Sequence, residues 1–214
     1  MSSAANSRLA EKYYVHPQAL VESTDIGANT RIWAFAHVLR GARIGPNCNI
    51  GDHAFLEGGV VLGENVTVKN GVALWNLVTI EDNVFLGPNC VFTNDRNPRS
   101  YIKKPVEHLD PTLIRANATI GANATILCGV TIGTYAFIGA GAVVIRSVPD
   151  YALLVGNPSR QIGWMCRCAE KLQGAPSVRL GARLDCLHCK STFVRTEAGL
   201  SEVQIPSARK EQTP

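Results

Sequence analysis

Four cysteines near the C-terminus carry the plainest chemical signal in this chain of 214 residues. Cys166-Arg-Cys168 is followed, seventeen residues later, by Cys186-Leu-His-Cys189. Two close pairs of thiols at this separation read as a small zinc ribbon, because four thiolates close a tetrahedral structural site around zinc. No cluster of histidines accompanies them to leave an open coordination position, so the metal would be structural, not catalytic. The first pair is Cys-x-Cys, and Ala169 and Lys190 stand where such knuckles usually carry glycine; four unligated thiols are the alternative. Other residues with chemical reach are scattered: His37, a candidate base near neutral pH, Glu57, and two amides eighteen residues apart, Asn76 and Asn94. An amide donates and accepts hydrogen bonds but cannot serve as a base. Arg99 and Arg115 carry planar forks that suit a carboxylate or a phosphate.

The frame that must position them is a six-residue period. From Leu20, steps of six reach Ile26, Ile32, Val38, Ile44, Ile50, Leu56, Leu62, Val68, Leu74, Ile80, Leu86 and Phe92. The phase restarts at Ile114 and runs through Ile120, Ile126, Ile132 and Ile138 to Val144. All nineteen positions are large and apolar, which chance would give about once in a million. Four residues after each stands a second column, from Thr24 through Ala36, Ala54 and Val72 to Cys90, and again from Ala118 to Val148. Members of the two columns lie two apart, so both point the same way from one short strand. A helix turns through about 600° in six residues and cannot keep such a column on one face. A flat antiparallel sheet would need hairpin turn signals that recur with the repeat, and these do not.

Three short strands per coil, with glycine, asparagine and aspartate at the turns, satisfy the pattern. The expectation is an all-β parallel coil over residues 14–164, each strand bonded to the strand eighteen residues on. Residues eighteen apart then stack at about 4.8 Å, which places Arg40, Gly58, Asn76 and Asn94 in one column. A polar loop, 95–113, interrupts the period directly after Asn94, and long loops in compact domains are commonly functional. If the register resumes, Cys128 follows Asn94 in that column. Leu39, Phe55, Phe85 and Phe137 would point outward and need cover. Residues 165–205 form the ribbon-like tail, and 206–214 a disordered end.

Composition sets the bounds. Apolar residues make up 46% and charged residues 18%, which excludes a wholly disordered chain. Lys+Arg less Asp+Glu is 21 − 17 = +4, too small a surplus to argue for nucleic acid, though it suits an anionic small ligand. No apolar run is long enough for a membrane helix, and the first residues carry no secretory pattern. Seven cysteines, an odd count, without such a signal point to thiols or metal ligands in the cytoplasm, not disulfides.

The hexad pattern resembles the hexapeptide-repeat acyltransferases, whose coils are left-handed β-helices. Three segments, Arg31-Ile-Trp-Ala-Phe-Ala-His37, Val91-Phe-Thr-Asn-Asp-Arg-Asn-Pro-Arg99 and Leu153-Leu-Val-Gly-Asn-Pro-Ser-Arg-Gln-Ile-Gly-Trp164, narrow the likeness to nucleotide-sugar N-acetyltransferases. These segments are similar to enzymes that acetylate the 3-amino group of UDP-2-acetamido-3-amino-2,3-dideoxyglucuronate, and to relatives acting on dTDP-3-amino sugars. The likeness covers roughly Tyr14 to Trp164. The chain departs from the family at Ala34, where a histidine is common, and at Asn76, where an acidic residue is common.

The resemblance implies acyl transfer from acetyl-CoA to a sugar amine, which is itself the nucleophile. Asn94 would then hold the amine lone pair toward the thioester. The departing CoA thiolate could take the proton, and backbone N–H groups at the turns could stabilise the oxyanion. His37, three coils below Val91, could act only on a site shared with a neighbouring subunit. Asn76, Glu57, Arg99 and Arg115 would contact substrate. CoA would run along the later coils over Gly121, Gly139, Ala140 and Gly141, its phosphates meeting Arg146 and Arg160. Gly139-Ala-Gly141 is no dinucleotide loop, because it lies inside the six-residue period with no helix after it. A homotrimer is usual in this family. Two rival readings differ in class: a metalloenzyme of carbonic-anhydrase type, which needs three converging histidines, and a solenoid scaffold without catalysis.

Overall fold

The structure, a computed structural model, describes residues 13–204, so the expected disordered end at 206–214 lies outside the described residues. Strands of two or three residues alternate with tight turns from Tyr14 to Val144 and lie in three parallel sheets that wrap one core. In coil order, Tyr14–Val15 opens the first sheet, Leu20–Val21 the second and Arg43–Ile44 the third. The last residue of each strand points inward: Ile32, Val38, Ile50, Leu56, Leu74, Ile80, Leu86, Ile120 and Ile126 are fully or almost fully buried. The small column fills the space between them, with Ala36, Ala54, Val72, Ala118 and Ala142 equally buried. Each large inward side chain contributes about 1.5–3 kcal/mol by burial, and the column repeats along the whole coil.

The eighteen-residue register holds through the middle of the molecule. Arg31 pairs with Asn49, Asn49 with Thr67 and Thr67 with Phe85. Across the loop, Phe85 pairs with Thr119, a step of 119 − 85 = 34, or sixteen residues beyond one coil. The coil therefore re-enters in phase after the loop. At the first coil the step is shorter: Val21 pairs with Val38, seventeen residues on. The column member is thus Val21, not Leu20, which is 56% exposed. Ser23, not Thr24, fills the small position there, its hydroxyl donating to the Ala42 carbonyl at 2.6 Å. One residue fewer between Val21 and Ile26 shifts the phase, and a side chain shifted by one residue in a strand changes face.

Turns at the edge between the third and first sheets use left-handed asparagines at 29, 47, 65, 83 and 117. Asparagine tolerates this conformation, and its amide bonds the neighbouring coil. Asn29 donates to Asn47 at 3.2 Å and Asn65 to Asn83 at 2.9 Å. The column then changes to Tyr135 and Tyr151, also left-handed, with rings stacked 5.0 Å apart.

That change marks the docking of the tail. Strand Arg160–Trp164 turns back antiparallel on Ala152–Val155. Beyond it, Arg183–Asp185, Thr192–Thr196 and Gly199–Gln204 form an antiparallel sheet of three strands. Phe193 meets the Tyr151 ring edge-on at 5.1 Å, and the Asp150 N–H donates to the Ala198 carbonyl at 3.0 Å. Trp164, fully buried, lies under the Arg195 guanidinium, 5.0 Å from its ring centre. Tail and coil share one core, and the tail covers the last rung, whose exposed backbone and apolar face a solenoid must cap.

Candidate functional site

Asn94 stands at the root of the loop, on the edge between the second and third sheets. Val91 pairs with Ala73 below and Thr125 above, so Asn76, Asn94 and Cys128 stack in one column as the repeat requires. The pairing of Thr125 with Val143 extends that column to Arg146. The loop returns beside its exit: the Asp110 N–H donates to the Asn94 carbonyl at 3.1 Å. Arg96 reaches Asp110 at 3.5 Å and the Cys128 carbonyl at 3.3 Å. Lys104 bonds the Asp95 carboxylate and the Asn97 carbonyl. The hydrogen bond from the Lys104 ammonium holds the part-buried Asp95 carboxyl below the usual carboxylate range. These anchors fix a segment that would otherwise wander over the surface, and none was evident in the sequence because each joins residues distant in the chain.

Below Asn94 the edge is tightly built. The Glu57 carboxylate accepts the Asn76 N–H at 2.7 Å, and the Asn76 side-chain oxygen accepts the Leu77 N–H at 2.8 Å. Gly59 makes room for that amide, since a Cβ there would lie 2.1 Å from the Asn76 oxygen. Asn76 and Glu57 thus hold the turn as well as face outward, both half-buried. The Trp75 indole N–H donates to the Phe92 carbonyl at 2.9 Å, and its ring lies 5.5 Å from Phe55.

Other expected site residues stand apart. His37 is three rungs below Val91 by pairing through Phe55 and Ala73, and its Nε2 meets Glu22 at 2.9 Å. Arg115 lies on the edge between the third and first sheets, one rung above Glu81, away from Asn94. Arg99 is exposed on the loop, its guanidinium donating to the Pro98 carbonyl. Gly121 and Gly139 stack on the edge between the first and second sheets, across the second sheet from Asn94. A Cβ on Gly121 would lie 2.5 Å from the Ala140 nitrogen, and one on Gly139 2.8 Å from Val155. The packing of adjacent coils therefore accounts for both glycines. Gly141 faces open space, and Ala140 is exposed beside it. Arg146 and Arg160 do converge, lining one cleft of about 200 Å³ with Ile145, Ser147, Pro158 and Ser159.

The four tail cysteines come together. Their sulfurs lie within 4.8 Å of one another, Cys166 to Cys189 at 3.4 Å and Cys168 to Cys186 at 3.6 Å. Zinc–sulfur bonds of about 2.3 Å in a tetrahedron put sulfurs about 3.8 Å apart, so the donor set fits such an ion. Ala169 and Lys190 hold left-handed backbone at φ 66° and 63°, the conformation that glycine supplies in knuckles. Among the described residues this is the one group of three or more metal-capable side chains brought together. His53 stacks on Phe35 at 4.9 Å and His108 lies in the loop's short 3-10 turn, so the histidines do not converge within the chain.

Comparison with known proteins follows the same architecture. The family of bacterial transferase hexapeptides (six repeats) matches residues 23–58 and 111–146, and a hexapeptide repeat of succinyl-transferase matches 77–93. A dTDP-3-amino-3,6-dideoxy-alpha-D-galactopyranose 3-N-acetyltransferase from Aneurinibacillus thermoaerophilus is 54% identical over 167 residues, covering 78% of this chain and 86% of that one. The bifunctional protein GlmU of Nitratidesulfovibrio vulgaris (strain DSM 19637 / Miyazaki F) is 30% identical over 71% of this chain but only 34% of its own length. Among solved structures, a variant of AntD, an N-acyltransferase from Bacillus cereus in complex with dTDP and coenzyme A, superposes with a TM-score of 0.47 at 18% identity. That superposition covers 77% of this chain and 91% of AntD. On the repeat and the 54% identity across most of both chains, the chain belongs to the hexapeptide-repeat acetyltransferases.

Proposed function

We propose that the protein transfers an acetyl group from acetyl-CoA to the 3-amino group of a nucleotide-linked 3-amino sugar, with a dTDP sugar as the first candidate. The observation that carries this reading is the 54% identity to a dTDP-3-amino-sugar 3-N-acetyltransferase over a span that includes the loop and its root. The amine must arrive neutral with its lone pair aimed at the thioester carbonyl. Asn94, fixed through its own carbonyl by Asp110, is the residue assigned to hold it. Attack forms the C–N bond, the C–S bond breaks, and the leaving thiolate takes the amine proton. Arg146 and Arg160 share a cleft suited to the CoA phosphates. Arg99, exposed on the loop, would meet a diphosphate.

Several assigned residues lie on different edges, so the proposed site would be shared between chains. His37 and the glycine edge would meet a neighbour's Asn94 across a subunit interface, and the homotrimer is proposed on the family resemblance. Zinc in the four-cysteine cluster would be structural and would fasten the cap. No helix among the described residues is long and apolar enough to cross a membrane. A cytoplasmic location is proposed with the reduced thiols and the acetyl-CoA requirement.

Purified protein mixed with acetyl-CoA and dTDP- or UDP-linked 3-amino sugars, with free thiol release followed, tests the reading. Release that depends on the amino sugar supports it; none with any of these acceptors contradicts it.

A further inference from the structure

The loop brings one acid back to Asn94. The Asp110 N–H donates to the Asn94 carbonyl at 3.1 Å, and the Thr112 N–H donates to the Leu77 carbonyl at 3.0 Å. Pro111, its φ fixed by its ring, stands between them. These backbone anchors place Asp110 without help from its charge.

The protein itself makes little use of that charge. On the same edge, the Glu57 carboxylate accepts the Asn76 N–H, and the Asp95 carboxylate accepts the Asn97 N–H and pairs with Lys104. The Asp110 carboxylate accepts no backbone N–H among the described residues. Its Oδ2 lies 3.5 Å from the Arg96 Nε, in a pair whose side chains are 56% and 42% exposed, and such a pair contributes little to stability. Oδ2 also lies 3.7 Å from the Cys128 Sγ, one rung above Asn94. The carboxylate therefore stands on the upper side of Asn94, toward the coils over which CoA would run, and borders an open groove along the third sheet.

We propose that this carboxylate receives the 3-amino group of the substrate, which makes Asp110 a second catalytic residue beside Asn94. The inference rests on the acyltransferase reading and adds to it the group that meets the nitrogen's charge. An amine among electron-withdrawing oxygens titrates at about pH 8, as α-amino groups do, so much of it arrives as ammonium. Asn94 is uncharged and cannot take a proton. Asp110 attracts the ammonium and passes its proton to water in the groove. The freed lone pair forms the C–N bond while the carbonyl π pair moves to oxygen, and the nitrogen becomes cationic again. A fixed carboxylate stabilises that developing charge. When the C–S bond breaks, the thiolate takes the remaining proton.

The test measures by calorimetry, with CoA present, the affinity for a dTDP-3-amino sugar against that for its 3-hydroxy counterpart. The proteins are the wild type, Asp110→Asn, Asp110→Ser and Arg96→Gln. Both Asp110 substitutions keep the N–H that bonds Asn94, and serine serves if the asparagine variant does not fold. Arg96→Gln breaks the same ion pair but spares the carboxylate. The expected result is a preference for the amino sugar in the wild type and Arg96→Gln that falls about tenfold or more in the Asp110 variants. Transfer from acetyl-CoA should lose kcat/KM in parallel. With the wild type active, an unchanged preference in the Asp110 variants, or an equal fall in Arg96→Gln, overturns the role of Asp110 alone. A wild type that acetylates no 3-amino sugar overturns the acyltransferase reading and this inference together.

Discussion

The Asp110 N–H donates to the Asn94 carbonyl across 3.1 Å, so the loop that departs after Asn94 returns to the rung it left. The two ends of the loop close on each other, and the coil resumes in phase above them. An insertion of this kind costs little, since loop-closure entropy grows slowly with length. It can therefore be retained for what it covers.

Shortening the loop separates these roles. Replacing residues 97–107 by a short glycine linker should leave the coil folded, with a melting temperature within a few degrees of the wild type. Transfer should fall about 100-fold or more, because the groups aligned at Asn94 lose their cover. Circular dichroism melts and thiol-release rates on the same preparation check both parts.

Gly59 and Asn76 should be coupled. A Cβ at Gly59 collides with the Asn76 oxygen at 2.1 Å, and φ is 93°. Gly59→Ala should destabilise by about 1–3 kcal/mol in denaturant titration. In the Asn76→Ala background the same change should cost less, because only the backbone strain remains.

The first coil offers a test of register. Leu56, fully buried, should lose about 2–5 kcal/mol on substitution by alanine. Leu20→Ala, although the residue shares the six-residue phase, should change stability by less than about 0.5 kcal/mol. Equal losses at both sites would mean that Leu20 is in the core.

The ribbon predicts metal. Elemental analysis should find about one zinc per chain, and a chelator or Cys189→Ser should lower the melting temperature by loosening the cap on Tyr151 and Trp164. Unchanged melting after complete metal removal would contradict a fastening role.

The sequence made the coil legible because a column of inward side chains recurs at one spacing, and burial leaves no choice at those positions. The same spacing correctly stacked Asn76 under Asn94. It misplaced Leu20, because one missing residue before Ile26 breaks the phase without changing hydrophobicity. At Gly121 and Gly139, expected to lie under CoA, close coil packing also demands glycine, so the residue type there has a second cause. Arg115, expected to contact substrate, stacks over Glu81 on a different edge of its own chain from Asn94. The Tyr151–Phe193 contact, between segments forty-two residues apart and outside any repeat, has no local signature.

The central claim is that Asn94 presents a sugar amine to an acyl thioester. Its most direct test is the rate of CoA release from acetyl-CoA with a dTDP-3-amino sugar, for the wild type and for Asn94→Ala, each shown folded by circular dichroism. The account predicts amine-dependent release by the wild type and a loss of about 100-fold in the variant at similar CoA affinity. Release by Asn94→Ala at the wild-type rate would contradict it.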